Sequence, residues 1–453
     1  MTKIMNRAAT LPAKLIAASV CLALFLGGCH SAPAPSEQPG AGAEPITEEQ
    51  VRLNLESFDY VWTTIRDKFW DPEILGLDWK KLGDEYRKKV AEAQTMTEAR
   101  TAMNGLLEEL GHSHFGVIPE EAYLDIAGPE SKSSSGGEVG INARLREGKP
   151  LVVSVRKGSS SEAAGVRPGW EILSVNGKDL QEIISNLREN LKGKRFLNYS
   201  LNASLLNLMT GPPGDTLTVS FRDGSGDEVL KQLHLHAMKG TPYKFGYLPE
   251  LYVWLDYSEI NGNIGYIFLS SFFDPMHIMP EFNKAVMSFM DRDGIIIDIR
   301  GNPGGIGGMA MGMTGWFVDE RGRYLGKLTT RDSELKLIIN PRPVTFKGKV
   351  AVLVDEMSTS SSEFLAGGLQ AIGAARVFGT RTPGAALPSV IDRLPNGDAF
   401  QYVIGNYTAE DGTRLEGTGV IPDFEITPGR KQLLESGDPV LKAAVKWING
   451  KNE

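Results

Sequence analysis

The stretch Val350–Gln370 (VAVLVDEMSTSSSEFLAGGLQ) constrains the fold more than any other part of the chain. Val350–Val354 is an unbroken apolar, largely β-branched run, the pattern of a strand buried on both faces. From about Glu363, the spacing of Phe364, Leu365, Gly368 and Leu369 predicts a helix. Between strand and helix stand the hydroxyls of Ser358, Thr359, Ser360, Ser361 and Ser362. A strand that turns at once into a helix displays a side chain at the end of a sheet. It also aims backbone N–H groups and the positive end of a helix dipole at whatever binds there. Either the hydroxyls cap the helix, or one of them is a nucleophile whose reaction develops an oxyanion.

The same plan recurs upstream. Asn263–Ser270 reads as a strand, Met279–Met290 as an amphipathic helix, and Gly294–Gly305 as a buried strand ending in the turn Asp298–Gly305 (DIRGNPGG). Such alternation predicts a layered α/β core over residues 240–453. Glycines at a strand end let the backbone approach a ligand closely and turn N–H groups inward. The order of a phosphate-binding loop is absent, which leaves a tight turn or half of an oxyanion hole.

The chain has 453 residues, 41% hydrophobic and 23% charged, enough for two or three domains with real cores. A net charge of −8 with no long basic run argues against a nucleic-acid partner. Lys3, Arg7 and Lys14 precede an apolar stretch, Leu15–Phe25, that is too short to span a bilayer. It ends in Leu26-Gly27-Gly28-Cys29, which resembles the lipobox of bacterial lipoproteins. Residues 1–28 are then a signal peptide and Cys29 is the lipidated residue. Residues 29–46 form a Pro/Ala/Gly/Ser tether, and the location is the cell envelope, with the outer membrane facing the periplasm favoured by His30. Losing residues 1–28 removes three positive charges, which takes the net charge from −8 to −11, and removes Cys21. No thiol remains for catalysis, disulfides or metal binding.

Residues 47–128 read as helices. Thr47–Gln50 is a capping-box sequence, followed by Val51, Leu55, Phe58, Trp62, Ile65 and Phe69 at helical spacing. A second helix begins near Asp78 and a third at Thr95, with Gly111 as its stop. Directly after comes His112-Ser113-His114, two histidines flanking a serine on a tight turn. A lone histidine near a helix end is ordinarily a dipole-stabilised surface group, and the pair improves the case for chemistry. No further ligand lies at zinc spacing, so neither metal nor cofactor is expected.

Residues 136–238 follow a Ser/Gly linker, Pro129–Gly137, and alternate as short strands. The turn Ala163-Ala-Gly-Val-Arg-Pro-Gly169 and the strand Glu171–Gly177 resemble a bacterial PDZ domain, with Trp170 replacing that family's aspartate. The resemblance implies strand addition of a peptide, its carboxylate received near Gly140 and Ile141. Helical character around Leu187–Leu208 interrupts the module before strands at Thr216–Phe221 and Val229–Leu235. His234 and His236 on the last strand are expected to face solvent.

The turn Asp298–Gly305, the S-x-S-E stretch Ser360–Glu363 and the closing Leu415–Asp423 (LEGTGVIPD) together resemble the tail-specific, or C-terminal processing, serine protease family. The implied fold is a crotonase/Clp-like layered α/β protease core with an N-terminal helical segment and an inserted PDZ-like β domain. The implied nucleophile is Ser360, with N–H groups of Ser361 and of Gly304 or Gly305 as the oxyanion hole. The commoner branch places a lysine base where this chain has Ala385. The chain resembles instead the tricorn-like and retinoid-binding-protein-like branch. That branch implies His114 as base, with Ser113 and Glu416 orienting it. The expected function is an envelope-tethered serine endopeptidase acting on unfolded or tail-presented protein. The alternative is an inactive relative that binds peptides or apolar ligands.

Overall fold

The computed structural model describes residues 46–123 and 136–450, together with the backbone of Val20–Leu22. The lipobox, Cys29 and the tether lie outside the described residues, as does most of the linker before residue 137.

The core sheet has six strands in the order Leu255–Ile260, Ile264–Leu269, Gly294–Asp298, Lys349–Val354, Arg376–Gly379 and Phe424–Glu425. Only the first pairing is antiparallel. Alternation along the middle strands explains their continuous apolar sequence. Ile295, Ile297, Val352 and Val354 join a cluster with Phe282, Val286 and Leu365, from the helices Pro275–Ser288 and Ser361–Ala371. Ile296, Ala351 and Leu353 face the other way, against Val440, Ala444 and Ile448 of the C-terminal helix Pro439–Ile448. With both faces covered, every residue of Gly294–Asp298 is buried, as a parallel central strand requires. The helix expected at Met279–Met290 begins earlier, because Pro275 occupies its first turn, where a missing N–H costs nothing.

The N-terminal helices run Glu48–Lys68, Trp79–Glu92 and Met96–Glu108. Their first turns are capped by Thr47, Asp78 and Thr95, whose side chains accept the N–H groups of Gln50, Lys81 and Glu98. These helices do not form a separate body. Phe58, Val61, Ile65, Leu106 and Leu110 share one apolar cluster with Leu387, Phe400, Tyr402 and Val403 from the C-terminal half. Gly116–Ile118 pairs antiparallel with Ala399–Val403, and Arg100 donates to the buried Asp398 at 2.7 and 2.9 Å. A hydrophobic cluster, a strand pairing and a buried ion pair therefore carry residues 112–114 across to the core.

The insert is a six-stranded antiparallel sheet whose path is Glu228–His234, Thr216–Arg222, Glu171–Val175, Lys149–Val155 and Ile141–Arg146, with Lys178–Asp179 beside the third strand. It has its own core of Val139, Val152, Ile172, Leu180, Val219 and Phe221. The expected helical interruption resolves into two helices, Leu180–Asn190 and Leu197–Asn207, and His234 and His236 are exposed.

Candidate active site

Lys349–Val354 ends in a loop, and Ser360 sits at the start of the helix Ser361–Ala371 with φ 63° and ψ −118°. A non-glycine residue with positive φ stores on the order of 1–3 kcal/mol of strain and persists only where its surroundings hold it. Here the surroundings are the neighbouring hydroxyls. Ser358 Oγ donates to the Ile299 carbonyl (2.8 Å), Thr359 Oγ1 to Pro303 (2.9 Å), Ser361 Oγ to Gly305 (2.9 Å) and Ser362 Oγ to Asn302 (2.9 Å). These four hydroxyls staple the 358–362 loop to the Asp298–Gly305 turn. Ser360 itself caps the helix: its hydroxyl accepts the Glu363 N–H while the Glu363 side chain accepts the Ser360 N–H.

Ser360 is held through its backbone by Glu363, a fully buried carboxylate. Glu363 accepts the Ser360 N–H (3.0 Å), the Thr382 hydroxyl (2.5 Å), the Gly384 N–H (2.8 Å) and the Ala385 N–H (3.0 Å). Burial pushes its pKa up to about 7 despite those donors. The sequence offered Glu363 only as the last letter of a motif. Its partners lie some twenty residues on and could not be read from spacing.

The turn after the third helix places His114 at φ 62°, buried. Glu416 Oε1 accepts the Ser113 N–H at 2.9 Å, and Ser113 Oγ donates to Glu416 Oε2 at 2.8 Å. With its proton committed there, Ser113 Oγ accepts from His114 Nδ1–H, 2.6 Å away. This chain of bonds sets the tautomer, because a proton on Nδ1 leaves the lone pair on Nε2. Nε2 is buried and has no hydrogen-bond partner among the described residues. Burial lowers the pKa of His114 to about 3, so the ring is neutral at physiological pH. Glu416 is fixed in turn by the Ala386 N–H at 2.9 Å. His112 is separate: its Nδ1 lies 2.7 Å from the Leu110 carbonyl and its ring meets Phe69 edge-on.

The two halves meet at residues 385 and 386. Ala385, in the position where the commoner branch would carry a lysine, gives its N–H to the carboxylate that holds Ser360. Ala386 gives its N–H to the carboxylate that orients Ser113 and His114.

Two glycines were alternatives for the oxyanion hole. The Gly304 N–H is already given to Asn302 Oδ1 at 2.8 Å. Its neighbour Gly305 has φ 142°, and a Cβ there would lie 2.3 Å from the Phe272 carbonyl oxygen. Phe272 bonds the Gly304 carbonyl and the Ile306 N–H, so alternation turns the Gly305 N–H to the opposite edge. Along that edge the backbone of Val20–Leu22 pairs antiparallel with Gly304–Ile306.

On the strand that begins at Ile141, backbone groups of residues 143–145 are taken by side chains. The outward N–H of Leu145 goes to Asn202 Oδ1 (2.8 Å), and the carbonyls of Ala143 and Leu145 are taken by Arg144 (2.9 Å) and Arg146 (3.0 Å). The helix Leu197–Asn207 packs against the strand Ile141–Arg146. No group of three or more His, Cys, Asp or Glu side chains suited to a metal occurs among the described residues.

The chain resembles known proteins over most of its length. A model of peptidase family S41 matches residues 263–426, and a model of the tricorn protease C1 domain matches residues 54–108. The first spans the stapled turn, Ser360, Glu363 and Glu416, and the second spans the helices that lead to His114. The chain resembles the C-terminal processing protease family. A probable CtpA-like serine protease of Staphylococcus aureus (strain COL) is 27% identical over 364 residues, covering 79% of this chain and 65% of that protein. The chain thus spans a little under two thirds of the length of such family relatives. Carboxyl-terminal-processing peptidase 3, chloroplastic, of Arabidopsis thaliana is 25% identical, covering 91% of this chain and 77% of that protein. Among solved structures, mature CPAF superimposes with a TM-score of 0.60 at 16% identity, over 89% of this chain and 99% of that one. The photosystem II D1 C-terminal processing protease gives 0.53 at 20%, over 87% and 99%. These likenesses establish the family's mixed α/β fold.

Proposed function

We propose that this chain is a serine endopeptidase in which Ser360 is the nucleophile, His114 the general base, and Ser113 with Glu416 the relay that orients it. The observation that carries this reading is the bond chain Glu416–Ser113–His114, which leaves a buried, neutral Nε2 available as an acceptor. The Ser360 hydroxyl gives its proton to Nε2 as the oxygen attacks the peptide carbonyl. The resulting oxyanion is met by the N–H groups of Ser361, at the start of a helix, and of Gly305. Nε2–H then protonates the leaving amine, and the acyl group passes to water by the same steps in reverse. The imidazolium formed in between is stabilised by Glu416 through the Ser113 hydroxyl.

The substrate enters as an extended strand along Gly304–Ile306, the edge against which Val20–Leu22 pairs. Such a strand must come from unfolded or tail-presented protein. The insert gathers those ends near Gly140 and Ile141 once Asn202 releases the edge it occupies. Lipidation at Cys29 tethers the enzyme in the cell envelope.

Incubation of the purified, detergent-solubilised chain with a fluorophosphonate probe tests the assignment. Labelling should be abolished in Ser360→Ala, fall at least a thousandfold in rate in His114→Ala, and survive in Ser362→Ala. A wild-type chain that takes no label at any pH would identify a non-catalytic binder instead.

A further inference from the structure

We propose that Arg195, carried by the insert, is a positioning residue for the Ser113–Glu416 relay and makes turnover depend on where the insert sits. The inference rests on the peptidase reading above. Arg195 lies in the loop between the helices Leu180–Asn190 and Leu197–Asn207, far in sequence from every catalytic group. Its guanidinium nevertheless reaches the relay from both sides. Nη1 donates to the carbonyl of Gly111, in the turn that carries Ser113 and His114. The same nitrogen stands 3.6 Å from Glu416 Oε1, the oxygen that accepts the Ser113 N–H. Space for this approach exists because residue 417 is glycine: a Cβ there would fall 1.8 Å from Arg195 Nη2.

The Glu416 side chain is only 6% exposed, and its other partners are the Ser113 hydroxyl and the N–H groups of Ser113 and Ala386. All of these are uncharged, so among the described residues Arg195 is the cation that faces the carboxylate. A fork that bonds the Gly111 carbonyl and faces Glu416 fixes the spacing between the turn and the acid. That spacing sets where the imidazole points. If the insert moves, the fork leaves, and the relay loses both its counter-charge and its brace. The adjacent Lys194 pairs with Glu108 on the third helix, half-exposed and away from the relay. It therefore serves as an internal control for simple tethering.

The experiment measures peptide turnover and fluorophosphonate labelling of the full chain for wild type, Arg195→Ala, Arg195→Lys and Lys194→Ala. Arg195→Ala should lower kcat and the labelling rate about 10- to 100-fold with KM within about twofold, the signature of a displaced catalytic group. Arg195→Lys should restore most of the loss, since an ammonium can still reach the carbonyl or the carboxylate. Lys194→Ala should behave as wild type. Three results would overturn the proposal: unchanged kcat in Arg195→Ala, a loss confined to KM, or an equal loss in Lys194→Ala, which would make the loop a mere tether. If wild type itself takes no label, the peptidase reading fails first and this inference falls with it. A labelled wild type with an unaffected Arg195→Ala removes this inference alone.

Discussion

Glu363 and Glu416 accept the backbone N–H groups of consecutive residues, Ala385 and Ala386, at 3.0 and 2.9 Å. One carboxylate holds the Ser360 backbone and the other holds Ser113, which bonds the His114 ring. A two-residue stretch therefore links the hydrogen-bond network around Ser360 to the one around His114, although some 250 residues separate them along the chain. Ala385 contributes its backbone N–H to this link.

Histidine substitutions should separate the two rings of the His112-Ser113-His114 turn. His114→Ala should lower kcat by about three to four orders of magnitude, the usual cost of removing a general base while binding and the oxyanion hole remain. His112→Ala should stay within a few fold, because its ring packs on Phe69 and makes no contact with the relay. Steady-state kinetics on an unfolded protein substrate would decide, and equal losses for both would break the assignment.

The relay should behave as one unit. Ser113→Ala removes the only bond between the carboxylate and the imidazole, and Glu416→Gln removes the charge that stabilises the imidazolium. Each should cost roughly 100- to 10,000-fold in kcat, and the double variant no more than the worse single one. Additive losses in a double-mutant cycle would mean that the two residues act separately.

Stability against pH should reveal both buried groups, with opposite signs. Burial depresses His114 from 6.5 to about 3, so between those values the unfolded chain binds the extra proton and stability falls as pH drops. Burial raises Glu363 from 4.5 to about 7, so there the folded chain holds the extra proton. Its contribution is full below about 4.5 and is lost as pH rises toward 7. From about 4.5 to 6.5 the two slopes cancel in wild type. The difference curve for Glu363→Gln against wild type should therefore rise with pH across 4.5–7. That for His114→Ala should fall across 3–6.5, each by up to about 1.4 kcal/mol per pH unit. Cavity effects shift these curves without changing their slopes. Denaturant melts across this range measure both, and flat difference curves would show that neither group titrates as stated.

Much of this was legible in the sequence, for definable reasons. Buried parallel strands announce themselves by continuous apolar runs, so Val350–Val354 and the strand at Gly294 were readable, and side-chain caps such as Thr47 and Thr95 act within three residues. Ser360, Ser113, His114 and Glu416 stood out because the motifs around them are local. What the sequence hid depends on distant partners. That four neighbouring hydroxyls staple another turn and that Arg195 reaches Glu416 are facts of tertiary placement. The side-chain partners of residues 143–145 were hidden likewise, since nothing in Asn202 or in Arg144 and Arg146 marks them as partners of a strand's backbone.

Those arginines lead to the last prediction. Arg144, 1% exposed on the insert, donates Nε and Nη2 to Asp355 Oδ2 at 3.0 and 2.7 Å. Asp355 Oδ1 in turn accepts the N–H groups of Gly301 (2.9 Å) and Met357 (3.0 Å), tying the insert to both turns of the site. Burial alone would raise the Asp355 pKa, but Arg144 and these N–H groups hold it below the usual carboxylate range. Removing the cation strands a buried charge, so Arg144→Met should destabilise the fold by about 3–5 kcal/mol. Adding Asp355→Asn should recover part of that loss, because the amide oxygen still accepts from Gly301 and Met357 without needing a counter-charge. Urea unfolding of the single and double variants measures the difference. A double variant less stable than Arg144→Met alone would show that Asp355 serves the turns through its charge, independently of the arginine.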